Sequence, residues 1–375
     1  MNGYINGIDF VNMECEKYWY FPKTYKGNTQ EEIKQLIYSN SYIGSEKKDG
    51  CYYRFVKDED GNCSLIARNK SVNGAATDKI KWVPHLNEFF SQLPNGTCLV
   101  GELFFPNNPG SRRVTTIMGC LSEKAIARQQ KGDKLYYYIF DVYAYAGRLL
   151  YKEYNAEQRF GFISKLEESF THPSTQYIQF AHYFSGVELW EELAKVLENG
   201  GEGIVMTKKE SFVAPGCRTA RKTIKVKKEL NSPIDAFLTG NWKAPTRYYN
   251  GDCITTWQYW ENDKTHELLC GNHYAEYEKF GILRPVTKSY YFGWAAAIEI
   301  GLVDKEGKVV PIGWISGITE EVRAGIVKEN YKWAHRVVVI NAMDIEPDTH
   351  KLRHGKIMEW RDDKPWQECD YEQIT

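Results

Sequence analysis

The chain has 375 residues, a length typical of two or three domains with buried cores, which excludes a peptide hormone or a lone small binding module. Its 48 Lys and Arg residues nearly balance its 49 Asp and Glu residues, so any surface for nucleic acid must be local. No segment has the apolar length of a membrane span, and the first residues lack the pattern of a secretory signal. We therefore expect a cytoplasmic protein that does not bind a membrane.

The cysteines favour reduced thiols over disulfides, because nine of them are scattered along the chain without a C-x-x-C pair. Cys253, His266, Cys270 and His273 offer a zinc site as an alternative. The close cysteine pair from which structural zinc sites usually start is missing there.

In the first part of the chain, apolar residues recur at helical spacing and predict helices at residues 29–38, 121–130 and 189–197. From about residue 50 to 145, short runs of Val, Ile, Tyr and Phe alternate with Asp-Gly, Asn-Gly and Pro-Gly turns. This pattern is typical of strands and hairpins. A further strand is predicted at 203–206, directly after the glycines that end the third helix.

A domain boundary is predicted near residues 231–233, after a basic run and before a strand-like segment. Beyond it the pattern predicts about five strands and one helix, including a hairpin around 304–307, a helix that opens at Thr319 and a strand at 337–340. This set suits a small barrel such as an OB-fold. Residues 241–284 are too long for a connector and are interpreted as a folded insertion.

The first candidate site is the K-x-D-G sequence at residues 47–50. Taken alone it is weak, because a Lys-Asp-Gly turn also makes a good surface hairpin. Glu102, Asp141 and Glu202 each lie inside or beside an apolar strand, where burial of a charge is costly without a ligand or partner. The alternative is that each lies on the solvent-exposed face of an antiparallel strand.

A basic segment at residues 218–228 carries six cations and no acid. Lys225 and Lys227 alternate there with Ile224 and Val226, so in a strand both ammonium groups project from one face, about 7 Å apart. Two cations at that spacing can straddle neighbouring phosphates. An edge strand protected by lysines is the alternative.

Taken in order, these segments resemble the covalent nucleotidyltransferase superfamily, and most closely the ATP-dependent DNA ligases. The resemblance covers roughly residues 40 to 365. The segments that carry it are Lys47 to Gly50, Arg68-Asn69, Glu102, Phe140-Asp141-Val142, Glu202 to Met206, Lys225-Val226-Lys227 and the R-x-D-K sequence Arg361 to Lys364. The compact layout resembles that of small phage-type ligases.

The resemblance implies an α+β fold with two domains. Residues 1–231 would form a nucleotidyltransferase domain (ATP-grasp-like, for adenylation) with an N-terminal extension. Residues 232–375 would form an OB-fold β-barrel that holds the insertion near 241–284.

By the same resemblance, Lys47 would attack the α-phosphate of ATP and form lysyl-AMP. The AMP would pass to the 5′-phosphate of a nick in double-stranded DNA, where the 3′-hydroxyl displaces it, in replication, repair or recombination. We expect a monomer that uses ATP as substrate with Mg²⁺. Lys48 is the less suitable nucleophile, because it occupies the variable position of K-x-D-G. A free lysine has a pKa of about 10.4, so we expect Lys225, Lys227 and the metal to lower the pKa of Lys47.

The resemblance also assigns the remaining site residues. Those expected to bind the nucleotide are Ser45 and Glu46 at the base edge, Glu102 at the ribose, Phe140 stacked on adenine, and Lys47, Arg54, Arg68, Lys225 and Lys227. Glu102 and Glu202 would hold Mg²⁺ through their oxygen atoms. Arg361, Asp363 and Lys364 would orient the pyrophosphate of ATP, which requires a domain-closing step.

One position departs from the family pattern. Ligases of this family usually carry an arginine two residues after the glycine of K-x-D-G, and Tyr52 stands there instead. Arg54 is the nearest cation and is a candidate to replace it at the phosphate of the nick.

The sequence alone leaves three alternative functions possible. An RNA ligase shares the Lys47 and Glu102 elements but generally lacks R-x-D-K. An mRNA capping guanylyltransferase keeps the same architecture but uses GTP. A non-catalytic nucleic-acid-binding protein with an OB-fold and aromatic platforms would have no need of Lys47 together with Lys225 and Lys227.

Overall fold

The computed structural model describes the chain at residues 3–20, 29–71, 74–107, 110–132, 134–170, 173, 175–219, 221–227, 233–251, 253–346 and 349–374. Contacts within the chain divide it into two units, Met1–Lys228 and Glu229–Thr375. Of the boundary predicted at 231–233, residues 231 and 232 lie outside the described residues.

The first unit is a mixed α+β structure. Its helices are α1 (Thr29–Tyr38), α2 (Asn87–Gln92), α3 (Ser111–Met118), α4 (Ser122–Lys131), α5 (Leu150–Glu153), α6 (Ala156–Glu168) and α7 (Gly186–Glu198). Its strands are β1 (Tyr4–Ile5), β2 (Ile8–Asp9), β3 (Trp19–Tyr20), β4 (Tyr42–Glu46), β5 (Cys51–Lys57), β6 (Cys63–Ala67), β7 (Thr97–Phe104), β8 (Tyr136–Ala144), β9 (Ile178–Phe180), β10 (Phe184–Ser185), β11 (Gly203–Lys208) and β12 (Thr223–Lys227).

Two five-stranded sheets organise this unit. We call the sheet with strand order β10-β4-β11-β12-β3 the lysine sheet, and the sheet with order β6-β5-β7-β8-β9 the carboxylate sheet. On the lysine sheet, Ile204, Met206 and Ile224 pack against α1 and α7. One face of the carboxylate sheet packs Phe55 and Leu99 against Phe89 of α2 and the neighbouring helices. Each sheet thus has one apolar face that is covered by helices. Part of the other face of the carboxylate sheet is also apolar, since Val56 and Val100 pack there against Ile5 and Phe10 of the N-terminal segment.

The three predicted helices of this unit and the strand at 203–206 are confirmed by α1, α4, α7 and β11. The continuous strand pattern predicted from 50 to 145 is wrong at α2 and α3. In α2 the adjacent aromatic pair Phe89-Phe90 is buried, and such a pair fits a strand equally well in the sequence. In α3 the buried residues Val114, Ile117 and Met118 follow helical spacing.

The second unit contains strands β13 (Ile234–Lys243), β14 (Tyr259–Asn262), β15 (Leu268–Cys270), β16 (Leu283–Pro285), β17 (Ala297–Val303), β18 (Val309–Ile315), β19 (Val337–Asn341), β20 (Asp344–Ile345), β21 (Leu352–Arg353) and β22 (Lys356–Arg361). Its helices are α8 (Tyr274–Phe280), α9 (Lys288–Tyr291), α10 (Glu320–Lys328) and α11 (Asn330–Trp333). The predicted hairpin around 304–307, the helix after Thr319 and the strand at 337–340 are confirmed. The expectation of a single helix is wrong, since short helices also follow β15, β16 and α10.

The main sheet of the second unit has five strands in the order β18-β17-β13-β19-β22. Its core contains Phe237, Ile300 and Val338, and α10 contributes Ile326. Between the first and last strands of this order the described residues form no pairing, so the sheet is open and does not form the closed barrel that we expected.

The insertion at 241–284 is folded. Strands β14, β15 and β16 make a three-stranded sheet, and Trp260 is fully buried with its indole N–H donating to the carbonyl oxygens of Trp257 (3.1 Å) and Gly271 (3.0 Å). His266 contacts Glu261, and His273 contacts Glu276. In the described part of the chain, no three His, Cys, Asp or Glu side chains come together as a metal site, in the insertion or elsewhere.

All nine cysteines are free thiols in the structure. None of the helices in the described ranges combines the length and the apolar composition needed to cross a lipid bilayer.

Candidate active site

Lys47 directly follows β4 and extends its pairing with β11, because its backbone N–H donates to the carbonyl oxygen of Gly203 at 2.8 Å. The turn after it brings the chain onto the carboxylate sheet. A Cβ atom at Gly50 would lie 2.2 Å from the carbonyl oxygen of Leu103, so only glycine permits this approach. The turn therefore places Lys47 between the two sheets.

Glu202 links two of the predicted site lysines. Its Oε2 lies 2.5 Å from Nζ of Lys47 and its Oε1 lies 2.6 Å from Nζ of Lys227, while only 4% of its side chain is exposed. The next residue, Gly203, has φ +133°, and a Cβ there would lie 2.0 Å from the carbonyl oxygen of Val226. The glycine thus allows β11 and β12 to pair closely enough for Glu202 to reach both ammonium groups.

Glu102 approaches the same lysine from the carboxylate sheet. On β7 it pairs with Tyr52 of β5 and Tyr138 of β8, and its Oε1 accepts a hydrogen bond from the Gly50 N–H at 3.1 Å. Burial raises the pKa of Glu102, the positive charge of Lys47 lowers it, and Glu202 raises it, with a net upward shift. Glu102 and Glu202 thus lie within electrostatic reach of each other and of Lys47.

The charge balance at Lys47 differs from what the sequence led us to expect. Burial lowers the pKa of Lys47, but the negative charges of Glu102, Glu202 and Asp49 raise it by more, so the net pKa lies above the ordinary lysine value. The expectation that neighbouring lysines lower this pKa is wrong for the protein without ligands. The physical reason is that the combined charge of Glu102, Glu202 and Asp49, with Glu202 in direct contact at 2.5 Å, outweighs the effect of burial.

Lys225 is the lysine whose pKa is depressed. Burial lowers it, the cations Lys47, Arg68 and Lys227 lower it further, and the result is a pKa of about 8. Lys225 and Lys227 flank the buried Val226 on β12, as the alternation predicted. Arg68, an exposed residue just after β6, thus belongs to the same electrostatic cluster.

Lys48 points away from this cluster. Its Nζ lies 2.5 Å from Oε2 of Glu46 and 5.3 and 5.4 Å from the ring centroids of Phe104 and Tyr138. Glu46, Lys48, Tyr138 and Phe184 line a separate cavity of about 320 Å³. The carboxylate of Glu46 is therefore engaged with Lys48, whereas its backbone carbonyl oxygen accepts a hydrogen bond from the Tyr138 hydroxyl at 3.3 Å. Ser45 is buried one residue earlier.

Phe140 is half-buried on β8, and its ring centroid lies 6.3 Å from that of Tyr52. The hydroxyl of Tyr183 donates to its carbonyl oxygen. The next residue, Asp141, forms a two-pronged ion pair with Arg159 of α6, at 2.8 Å from Nε to Oδ1 and 3.2 Å from Nη2 to Oδ2. Asp141 is thus fixed by a partner that the sequence pattern did not indicate.

Arg54 does not occupy the surface position that a contact with the phosphate of a nick requires. Its side chain is 2% exposed, and Nη2 donates to the carbonyl oxygen of Met13 at 2.6 Å. Among the described residues its Nε and Nη1 have no hydrogen-bond partner, and neither has the hydroxyl of Tyr52. In this structure Arg54 is covered by the N-terminal segment, which does not fit the predicted phosphate contact.

The R-x-D-K residues lie in the second unit, on and after β22. The guanidinium of Arg361 makes two hydrogen bonds of 2.8 Å with the carboxylate of Asp363, which lowers the pKa of that carboxyl group to about 2. Lys364 pairs with Asp235 at 2.7 Å. Within this unit, therefore, all three side chains are engaged in ion pairs.

Tyr18 was missed by the sequence analysis. Its ring centroid lies 5.3 Å from Nζ of Lys225, although it precedes every matched segment of the chain. Nothing in the sequence distinguishes Tyr18 from the other aromatic residues of its segment, so its contact with Lys225 could not be predicted. Only the pairing of β3 with β12 brings it to the site.

The carboxylate oxygens of Glu102 and Glu202 are the type of ligand atom that a hard cation prefers. Glu102 and Glu202 offer oxygen ligands, and Mg²⁺ usually binds one or two protein carboxylates together with substrate phosphates. A protein cage of three or more ligands is not required for such a site. The two glutamates therefore fit Mg²⁺ delivered with ATP.

One protein-family model and a set of solved structures match the chain. The model of a family described as ATP dependent DNA ligase domain matches residues 24–227, which is more than half of the chain. No curated protein sequence matches the chain.

Two solved structures share the fold. One, from a structure-function study of Lig E DNA ligases that bind DNA with a minimal scaffold, has a TM-score of 0.52 and 18% identity and covers 87% of this chain and 95% of its own. Another, Pmar-Lig_PreS3, has a TM-score of 0.56 and 12% identity and covers 93% of this chain and 68% of its own. At these identities the likeness is one of fold.

Proposed function

The chain belongs to the ATP-dependent DNA ligase family, and from this premise we propose that Lys47 carries the adenylyl group in a reaction that seals 5′-phosphate/3′-hydroxyl nicks in duplex DNA. The observation that carries the proposal is the cluster in which Glu202 holds both Lys47 and Lys227 while Glu102 approaches from the facing sheet. The RNA ligase, capping enzyme and non-catalytic alternatives are not favoured by the family match.

In the first step, Nζ of Lys47 attacks the α-phosphorus of ATP, an N–P bond forms, and the P–O bond to pyrophosphate breaks. Nζ must first lose a proton. Oε2 of Glu202, at 2.5 Å, is the nearest carboxylate oxygen and is positioned to accept it. Lys225 and Lys227 offset the negative charge of the phosphate, in a site that catalyses mainly by alignment and charge neutralisation.

The other side chains bind and orient the nucleotide. We propose that Glu102 holds the ribose, Phe140 stacks on the adenine, and the strand at Ser45 and Glu46 contacts the base edge. Arg68 adds positive charge beside Lys225. Glu102 and Glu202 would hold Mg²⁺, which when bound neutralises phosphate charge.

The second unit is expected to act on the pyrophosphate part of ATP. We propose that it is an OB-type domain despite its open sheet, that its Arg361, Asp363 and Lys364 orient the pyrophosphate, and that the protein works as a monomer. Support comes from the R-x-D-K sequence, which begins at the last residue of β22, and from the five-stranded sheet whose core includes Ile326 of α10.

Covalent labelling with α-labelled ATP and magnesium tests the proposal. We expect Lys47→Ala to abolish labelling and Lys48→Ala to retain it, because Lys48 pairs with Glu46 outside the cluster. The two adjacent lysines make a matched pair of variants. Labelling that survives in Lys47→Ala, or preferential labelling by GTP, would contradict the proposal.

A further inference from the structure

The N-terminal segment is anchored beside the lysine-bearing strand β12. The N–H of Lys17 donates to the carbonyl oxygen of Cys217 at 3.0 Å, and Glu16 pairs with Lys222 at 2.6 Å. Both side chains of this ion pair are almost fully buried, with 8% and 10% exposed. A buried pair of this kind holds its two segments in one geometry, because separating them would leave a charge unpaired.

Backbone pairing fixes the same segment in register with the site. Strand β3 runs parallel to β12, with Trp19 opposite Ile224 and Tyr20 opposite Lys225. Tyr18 lies between the Glu16 anchor and this short strand. Its side chain therefore has little freedom to move away from β12.

Tyr18 lies against the part of the cluster that carries the most positive charge. Its ring centroid is 5.3 Å from Nζ of Lys225, within the range of a cation–π interaction. Burial raises the pKa of the Tyr18 hydroxyl, and so do Asp141 and Glu16, whereas Arg68 lowers it. The phenol thus stays neutral and lies near two predicted nucleotide-binding residues, Arg68 and Lys225.

The Lys225 ammonium group is surrounded mainly by other cations, so a neighbour that attracts positive charge would stabilise it. The cations that face it are Lys47, Lys227 and Arg68, and Glu102 is the carboxylate that counteracts them. No ion pair of Lys225 with a carboxylate is present in the described part of the chain, in contrast to the direct pairs that Glu202 makes with Lys47 and Lys227. The face of an aromatic ring attracts an ammonium group and restricts where it can point.

We infer that Tyr18 is a positioning residue of the nucleotide site, whose ring holds the Lys225 ammonium in place for the phosphates of ATP. This inference rests on the proposed function and extends the site to the N-terminal segment, outside the residues matched by the family model. Tyr18 acts through Lys225, so its removal should weaken ATP binding without removing the nucleophile.

The test is covalent labelling of the full chain, measured as a single-turnover rate over a range of ATP concentrations. We expect Tyr18→Ala to raise the half-saturating ATP concentration by about three- to thirtyfold, the range of a partly desolvated cation–π contact. Tyr18→Phe keeps the ring and should stay within about twofold of wild type. Tyr4→Ala is the matched control, since Tyr4 is an exposed tyrosine of the same N-terminal region.

A double-mutant cycle separates positioning from folding. In a Lys225→Ala background, Tyr18→Ala should have no further effect on the half-saturating ATP concentration, whereas damage to the fold would add to it. Thermal unfolding of each variant shows which of them remain folded. An equal effect of Tyr18→Ala with and without Lys225, or a loss in Tyr18→Phe as large as in Tyr18→Ala, would overturn the inference.

Failure of the proposed function gives a different result. If wild-type protein is not labelled, or Lys47→Ala still is, then both the function and this inference fall. If wild type is labelled at Lys47 but Tyr18→Ala shows an unchanged dependence on ATP concentration, only the role of Tyr18 is overturned.

Discussion

Nζ of Lys47 and Oε2 of Glu202 lie 2.5 Å apart, in an ion pair that is largely shielded from solvent. The pair joins the end of β4 to the start of β11, and Lys227 closes it on the other carboxylate oxygen. In this state the nucleophile is a stabilised cation. Lys47 must lose its proton before it can react with ATP, so the stabilising effect of the neighbouring carboxylates on the ammonium form has to be weakened.

The first prediction concerns this pair. Replacing Glu202 by Gln removes one of the charges that raise the pKa of Lys47, so we expect that pKa to fall. NMR of protein with ¹³C-labelled lysine side chains, titrated in the absence of nucleotide, measures it. Glu46→Gln is the control, because Glu46 pairs with Lys48 instead. An unchanged Lys47 titration in Glu202→Gln would show that the ion pair does not persist in solution.

The second prediction is a pH dependence from Lys225. Its pKa of about 8 means that it is positively charged below pH 8 and loses its charge as the pH rises through that value. We therefore expect the half-saturating ATP concentration for labelling to rise by about tenfold between pH 7 and pH 9, as a charged phosphate contact is lost. In Lys225→Arg the guanidinium keeps its charge, so this rise should be smaller. Identical profiles for wild type and Lys225→Arg would rule out Lys225 as the titrating group.

The third prediction concerns the R-x-D-K residues. We expect Arg361→Ala or Lys364→Ala to slow self-adenylylation severely but to spare the sealing of a nick that already carries AMP, because no pyrophosphate remains in that step. Lys308→Ala is the control, since Lys308 is an exposed cation of the same unit that pairs with Glu306. Labelling and sealing are measured separately. Equal loss of both steps would point to a general role in folding or DNA binding.

The fourth prediction concerns the stability of the first unit. Arg159→Met leaves the carboxylate of Asp141 without its buried partner, so we expect a loss of about 3–5 kcal/mol in the free energy of unfolding. Urea denaturation measures this loss. Arg148→Met should change the stability little, because the Arg148–Glu153 pair is exposed to solvent. Similar values for the two variants would show that the Asp141–Arg159 pair does not stabilise the fold.

The fifth prediction concerns the substrate. We expect a 5′-phosphorylated nick in duplex DNA to be sealed better than a nick whose strands are all RNA. Rising salt should slow sealing steeply, because Lys and Arg contacts with DNA release counterions. Gel assays of matched DNA and RNA substrates over a salt series measure both effects. Efficient sealing of all-RNA substrate with little activity on DNA would contradict this assignment.

Patterns of neighbouring residues were enough to predict which residue types are available and which local elements carry them. The K-x-D-G motif made Lys47 the candidate nucleophile. The alternation on β12 predicted Lys225 and Lys227 on one side of the strand, because side chains in a strand alternate with a period of two. Helices α1, α4 and α7 followed from apolar periodicity in the same way. These features depend on neighbours along the chain.

The tertiary structure alone decided the charges and partners at the site. The negative charges of Glu102 and Glu202 together reverse the expected direction of the Lys47 pKa shift, and Glu202 lies 155 residues beyond Lys47. Arg54 is buried under Met13, and Tyr18 reaches Lys225 through the pairing of β3 with β12. A pKa depends on distance and burial in space, which no local pattern encodes, so these assignments required the folded chain.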